Sequence, residues 1–140
     1  MGSALAEGLL KGSVFKPKEI VIANPHQEKL KKFAQLGAQT TTDNCAAVKG
    51  AQLVAIVVKP WLVEQVINEI KGVLDYQQQT IMNMAAAISS DTLFSWLEKD
   101  GKKPALFQVI PNIAIAYKAS MTFIVPCRAS EEQTAFVKSL

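Results

Sequence analysis

Five short segments of this chain stand out for small, amide or basic residues: Met1-Gly2 at its start and, behind apolar runs, Asn24-Pro25, Val57 to Pro60 (VVKP), Asn83 to Ser89 (NMAAAIS) and Ile110 to Asn112 (IPN). Glycine and alanine let a ligand come close to the backbone, while asparagine and lysine offer hydrogen bonds and charge. That is chemistry for binding and positioning. No Ser-His-Asp set, activated cysteine or acid pair is visible, so no residue is assigned as catalytic. Cys45 and Cys127 stand in no CxxC spacing, and the single histidine, His26, has no HExxH or Cys/His company, so no metal site is expected.

The elements that would carry these segments follow from periodicity. Ser3 to Lys11 reads as a helix stopped at Gly12, and Glu19 to Ala23 (EIVIA) as a strand leading into a helix over Gln27 to Leu36, closed by Gly37. Ala38 to Thr42 reads as a strand and Asn44 to Lys49 as a short helix. Gln52 to Val58 (QLVAIVV) is a continuous apolar run, which predicts a strand buried on both faces of a parallel sheet. Beyond Pro60, apolar residues from Leu62 to Leu74 have helical spacing, and Thr80 to Ala85 returns to strand. Ser90 or Asp91 caps a helix over Thr92 to Leu97. Strands follow at Ala105 to Val109 and Met121 to Val125, and Ser130 with Gln133 makes a capping-box start to a last helix. Strands alternating with helices predict an α/β fold, Rossmann-like, with a mostly parallel open sheet and helices on both faces.

The chain has 140 residues, 49% of them hydrophobic and 19% charged, which suits one globular domain over residues 1–140 and leaves no room for a second. Lys and Arg exceed Asp and Glu by only 15 to 12, and the densest cluster, Lys29, Lys31 and Lys32, reads as a solvated helix face; nucleic acid is not an expected partner. No apolar run approaches the roughly 18 residues that cross a bilayer, so no membrane is expected and the default compartment is the cytoplasm.

Taken in order, the M-G-x-A-L-A helix start, V-K-P, the A-A-rich strand end and I-P-N resemble the nucleotide-binding domain of pyrroline-5-carboxylate reductases across essentially all 140 residues. The resemblance implies NADP as cofactor, with NAD possible. It also implies hydride transfer to the imine carbon of the small-molecule substrate 1-pyrroline-5-carboxylate, giving L-proline in proline biosynthesis. The alternatives are another NADP-dependent reductase of the same superfamily, or a non-catalytic nucleotide-binding or oligomerising fragment.

By the same resemblance, Gly2 is the third glycine of the phosphate-binding fingerprint, aiming the first helix at a pyrophosphate. Asn24 ends the second strand of the family pattern, where NAD enzymes often carry an acidic residue. A neutral side chain with His26 and Lys29 nearby leans toward a 2′-phosphate, while Asn24 equally serves as a helix cap with Pro25 and Gln27. Val58, Lys59 and Pro60 shape the nucleotide wall, although Lys59 alone reads as a solvated lysine. Asn44 matches a nucleotide-contacting position or simply caps its helix. Ala85 and Ala86 allow close approach to the nicotinamide. Ala87 stands where the family has glycine, so a required positive φ would force the local loop to differ. Asn112 faces the substrate-domain junction or caps a loop, and Gln108 stands near where many relatives carry arginine.

Met1 falls inside the fingerprint, and the family's helical substrate and dimerisation domain lies beyond Leu140. The expectation is a domain incomplete at both ends and inactive alone. Lacking the first strand would open a gap of about 10 Å, two strand spacings, between apolar edges. Direct pairing of those edges or homo-oligomerisation is expected to close it.

Overall fold

The computed structural model describes residues 2–11, 15–85, 87–110, 123–128 and 131–138. Among the described residues, six helices and six strands order as α1 (Gly2–Lys11), β1 (Val21–Ala23), α2 (Lys31–Gln35), β2 (Gln39–Thr41), α3 (Asn44–Val48), β3 (Leu53–Ile56), α4 (Val63–Ile70), β4 (Thr80–Asn83), α5 (Ser90–Leu97), β5 (Ala105–Ile110), β6 (Phe123–Arg128) and α6 (Glu131–Lys138). Short 3₁₀ turns precede α2 at Gln27–Leu30 and flank α4 at Pro60–Leu62 and Lys71–Val73.

Local chemistry sets these boundaries. Gly37, at φ +97°, ends α2 with its N–H on Ala34 O, and the next amide, of Ala38, returns to Phe33 O. A Cβ at Gly37 would sit 3.1 Å from Pro17 Cβ, a tight contact that adds to the preference for glycine set by the positive φ. The Asp43 carboxylate accepts from Cys45 N and starts α3. Ser89, not Ser90 or Asp91, caps α5 by accepting from Thr92 N, because only from Ser89 does the hydroxyl reach that free amide. The capping box expected from Ser130 lies outside the described residues, although α6 itself begins at Glu131.

The strands form two sheets rather than one. β1 and β2 pair in parallel, and β3, β4, β5 and β6 follow in that order, parallel through β5. β6 returns antiparallel to β5, which requires no helical crossover. The expected closure by direct pairing is not observed: β1 and β3 belong to different sheets with no ladder between them.

Packing bridges that division. The largest cluster joins Val54 and Ile56 of β3, Val63, Ile67 and Ile70 of α4, Ile81 of β4, Leu93 and Leu97 of α5, and Val48 of α3. Each such fully buried aliphatic contributes about 1.5–3 kcal/mol relative to exposure. On α1, Ala6 and Leu10 pack with Phe33, Ala38 and Ile22 beside β1–β2, while Leu9 packs with Met82, Met84, Phe107, Val109 and Val137 over the larger sheet. One helix thus touches both sheets. β4 is buried along its length, but β3 is not buried on both faces as its composition implied: Ala55 is exposed and Leu53 only half-buried. As an edge strand of the larger sheet, β3 lacks the neighbour and full cover that a central parallel strand receives.

At the far end of α4 two helix ends cap one another. Lys71 Nζ donates to Trp96 O at 3.0 Å, Lys99 Nζ donates to Leu74 O at 2.8 Å and Lys71 O at 3.2 Å, and the Tyr76 hydroxyl donates to Leu97 O. Cationic donors at helix carboxyl ends satisfy carbonyls that have no partner within the helix. Among the described residues, no helix is long and apolar enough to cross a membrane.

Candidate functional site

Parallel strands deliver the residues that follow them to one edge, and most of the singled-out residues lie there. Gly2 is the first residue of α1. Asn24 follows β1: its N–H continues the ladder to Thr41 O at 3.2 Å, and its side-chain Oδ1 accepts from His26 N at 2.9 Å. This corrects the capping alternative, because His26 occupies the cap position of the next turn, and Asn24 folds the Asn24-Pro25-His26 corner instead. His26 and Lys29 are exposed beside that corner, with Glu28 Oε1 3.9 Å from His26 Nδ1.

Asn44 follows β2 but is not the helix cap, since Asp43 takes that role. Its Nδ2 donates to Glu69 Oε2 at 3.3 Å, tying α3 to α4. Cys45 Sγ donates to Glu69 O at 3.2 Å. Ligand atoms of Asp43, Cys45 and Glu69 therefore lie within 4.8 Å of one another, a grouping that spacing along the chain does not reveal.

β3 ends at Ile56, and Val58 is half-buried against the main cluster while Lys59 is exposed. Pro60 opens a 3₁₀ turn in which Leu62 N donates to Lys59 O at 2.8 Å. The next residue, Trp61, is 76% exposed, a large apolar surface beside the V-K-P segment that the sequence reading passed over.

Behind β4 the polar groups are buried. Asn83 is fully buried and pairs in register with Gln108 of β5. Its Nδ2 donates to Gln108 Oε1 at 2.9 Å and to Ala85 O at 3.1 Å, while its Oδ1 accepts from Ala85 N at 3.3 Å. Gln108 Nε2 donates to Ile88 O at 2.8 Å. Ala85 is half-buried, and Ala87 has φ +65°. The loop was expected to differ if this position needed positive φ; instead alanine itself takes the left-handed conformation, at an energetic cost that glycine would not incur. Ala86 and Asn112 lie outside the described residues. Neither the Asn83–Gln108 pair nor Trp61 was singled out from the sequence, although an asparagine and a glutamine inside apolar strands are a usable signal for a buried amide network.

The arrangement offers amides, small residues and one exposed lysine at strand ends, which suits holding a ligand more than moving protons. Comparison with known proteins agrees. A family model described as NADP oxidoreductase coenzyme F420-dependent matches residues 1–87. Pyrroline-5-carboxylate reductase 3 of Danio rerio is 26% identical over 141 aligned residues, covering all of this chain and 48% of the relative. Among solved structures, a pyrroline-5-carboxylate reductase from Coxiella burnetii aligns with TM-score 0.88 and 23% identity, over 98% of this chain and 50% of the other. The Plasmodium falciparum pyrroline carboxylate reductase with NADP bound aligns with TM-score 0.84 and 16% identity, over 99% and 49%. The chain spans about half the length of the curated relatives it matches. These likenesses establish the Rossmann-like α/β fold, and with more than half of its residues matched by the family model, the chain belongs to the NADP oxidoreductase coenzyme F420-dependent family.

Proposed function

We propose that this chain forms the nucleotide-binding part of an NADPH-dependent pyrroline-5-carboxylate reductase, which reduces the cyclic imine 1-pyrroline-5-carboxylate to L-proline. The observation that carries the reading is the position of Asn24, Lys59-Pro60 and Ala85, each shortly after the carboxyl end of a parallel strand. The NADP named for the Plasmodium relative supports the choice of cofactor. When bound, the reduced nicotinamide supplies a hydride to the imine carbon, whose nitrogen ends as the protonated amine.

The residues divide the work of positioning. Gly2 opens α1, whose free amides at that end suit a pyrophosphate. Asn24 brings no negative charge to the corner after β1, and exposed Lys29 and His26 beside it favour a 2′-phosphate. Val58, Lys59 and Pro60 form a wall, Asn44 stands at the start of α3, and the small Ala85 leaves room for the nicotinamide. Holding donor and acceptor in line is the main contribution such a site makes to hydride transfer. The edges of β1 and β3 that pair with no strand among the described residues favour a homo-oligomer, and a biosynthetic reductase of this kind works in the cytoplasm.

Calorimetric titration of the chain with NADPH and NADH tests the reading. NADPH is expected to bind, and more tightly than NADH. Absence of binding by both would exclude it.

A further inference from the structure

We infer that Asn83 and Gln108 are positioning residues, an amide clamp that holds the β4–α5 connection in the shape that receives the nicotinamide half of the cofactor. The inference rests on the nucleotide reading above and adds to it a pair of residues to which no role was assigned. Three observations carry it. Asn83 is completely buried, yet both of its N–H groups and its carbonyl oxygen are engaged, on Gln108 and on the backbone of Ala85. Gln108 passes the contact on to Ile88 O, so the two amides grip the connection on both sides of Ala87. Ala87 sits between those grips at φ +65°, a conformation an L residue holds only when its surroundings dictate it.

A buried amide network of this kind is costly unless every member is satisfied, and among the described residues no buried side-chain nitrogen or oxygen lacks a partner. The core does not require it: Ile81, Met82, Leu106 and Phe107 already fill the strand interiors on either side. Its output is the shape of the connection. Release the Ile88 carbonyl, and Ala87 is free to relax to negative φ, so the conformation that accepts the nicotinamide becomes a minority and affinity falls in proportion.

The test compares two probes on the full chain: NADPH, and 2′,5′-ADP, which carries the adenosine and 2′-phosphate but no nicotinamide. Gln108→Met keeps the length of the side chain and removes both amide functions. It is expected to weaken NADPH about tenfold while leaving 2′,5′-ADP unchanged. Adding Ala87→Gly, which makes the left-handed conformation unstrained, is expected to recover most of that loss. The proposal is overturned if NADPH affinity is unaltered in Gln108→Met, if both probes weaken by the same factor, or if Ala87→Gly gives no recovery. Should Gln108→Met fail to fold, Gln108→Glu decides the matter: its carboxylate accepts from Asn83 but cannot donate to Ile88 O until protonated. NADPH affinity relative to wild type must then rise as pH falls, and a flat ratio counts against the clamp. If wild type binds neither probe, the nucleotide reading fails and the clamp falls with it. If wild type binds both and the variants change nothing, only the clamp is lost.

Discussion

Lys32 on α2 reaches Glu7 on α1, with Nζ 2.6 Å from Oε1, while the same ammonium lies 4.9 Å from the centre of the Phe33 ring. The contact fastens α1 to the β1–β2 side of the molecule. The hydrogen bond and charge of Lys32 hold the Glu7 carboxyl below its ordinary value. A carboxyl depressed in the folded state contributes stability that is present above its unfolded pKa and lost as pH falls through the folded one. Glu7→Gln is therefore expected to lower the midpoint of thermal unfolding near neutral pH and to leave it unchanged at strongly acidic pH. Melting curves across the acid range check this, and a constant offset at every pH would contradict it.

Tyr76 gives the opposite limb. Burial pushes its phenol up to about 12 from 10.0, and the hydroxyl donates to Leu97 O at the end of α5. A raised folded pKa means the stabilisation is complete below the unfolded value and disappears as pH rises through the folded one, a window of roughly pH 10 to 12. Tyr76→Phe is expected to cost roughly 1 kcal/mol near neutral pH and to flatten that alkaline limb. Urea unfolding of both proteins between pH 8 and 12 measures the two effects together.

Gln79 is buried just before β4 and joins three segments. Its Nε2 donates to Val48 O at 2.7 Å and Ala51 O at 2.8 Å, and its Oε1 accepts from Asp75 N at 2.8 Å. Gln79→Leu matches its size but strands the Ala51 carbonyl and the Asp75 amide and leaves Val48 O with only the Ala51 N–H, and is expected to destabilise by about 2–4 kcal/mol. A loss under about 0.5 kcal/mol in denaturant unfolding, the scale of a neutral surface change, would mean that water replaces all three bonds.

The two tryptophans provide a reporter. Trp61 is exposed beside Pro60, whereas Trp96 is half-buried against the main cluster. If nucleotide lies against the V-K-P segment, NADPH quenches Trp61. Trp61→Phe is then expected to remove most of the quenching and to change stability by less than about 0.5 kcal/mol; Trp96→Phe should do the reverse. Quenching that survives Trp61→Phe would move the nucleotide away from Pro60.

Much of this was legible from periodicity. Glycines 37 and 50 and prolines 25 and 60 punctuate the chain where the elements change, and the apolar run ahead of Lys59 could only be a strand near the core. What escaped was decided by tertiary geometry. Ser89 caps α5 because of where the β4–α5 connection ends, which the neighbouring Ser90 and Asp91 obscure in one dimension. Asn24 turned inward to its own corner, since a side chain with several local partners gives no sign of which it takes. Ala87 kept the left-handed backbone that its side chain disfavours, because propensity is a local quantity and the grip on Ala85 and Ile88 is not. The direction of β6 and the separation of β1 from β3 depend on which edges meet, and apolar content is silent on that.

The division of the sheet has a mechanical consequence. A hydrogen-bonded ladder resists shear across its whole width, but among the described residues the load between β1–β2 and β3–β6 passes through side chains: those of α1, and those of α3, which approaches β1 and β2 and packs Val48 into the main core. Among the described residues, the molecule is two hydrogen-bonded leaves joined by packed side chains. A ligand reaching from the corner at Asn24 to the turn at Ala87 would lie across that join and splint it, so occupancy would be felt as stiffness throughout the chain, far from any atom the ligand touches.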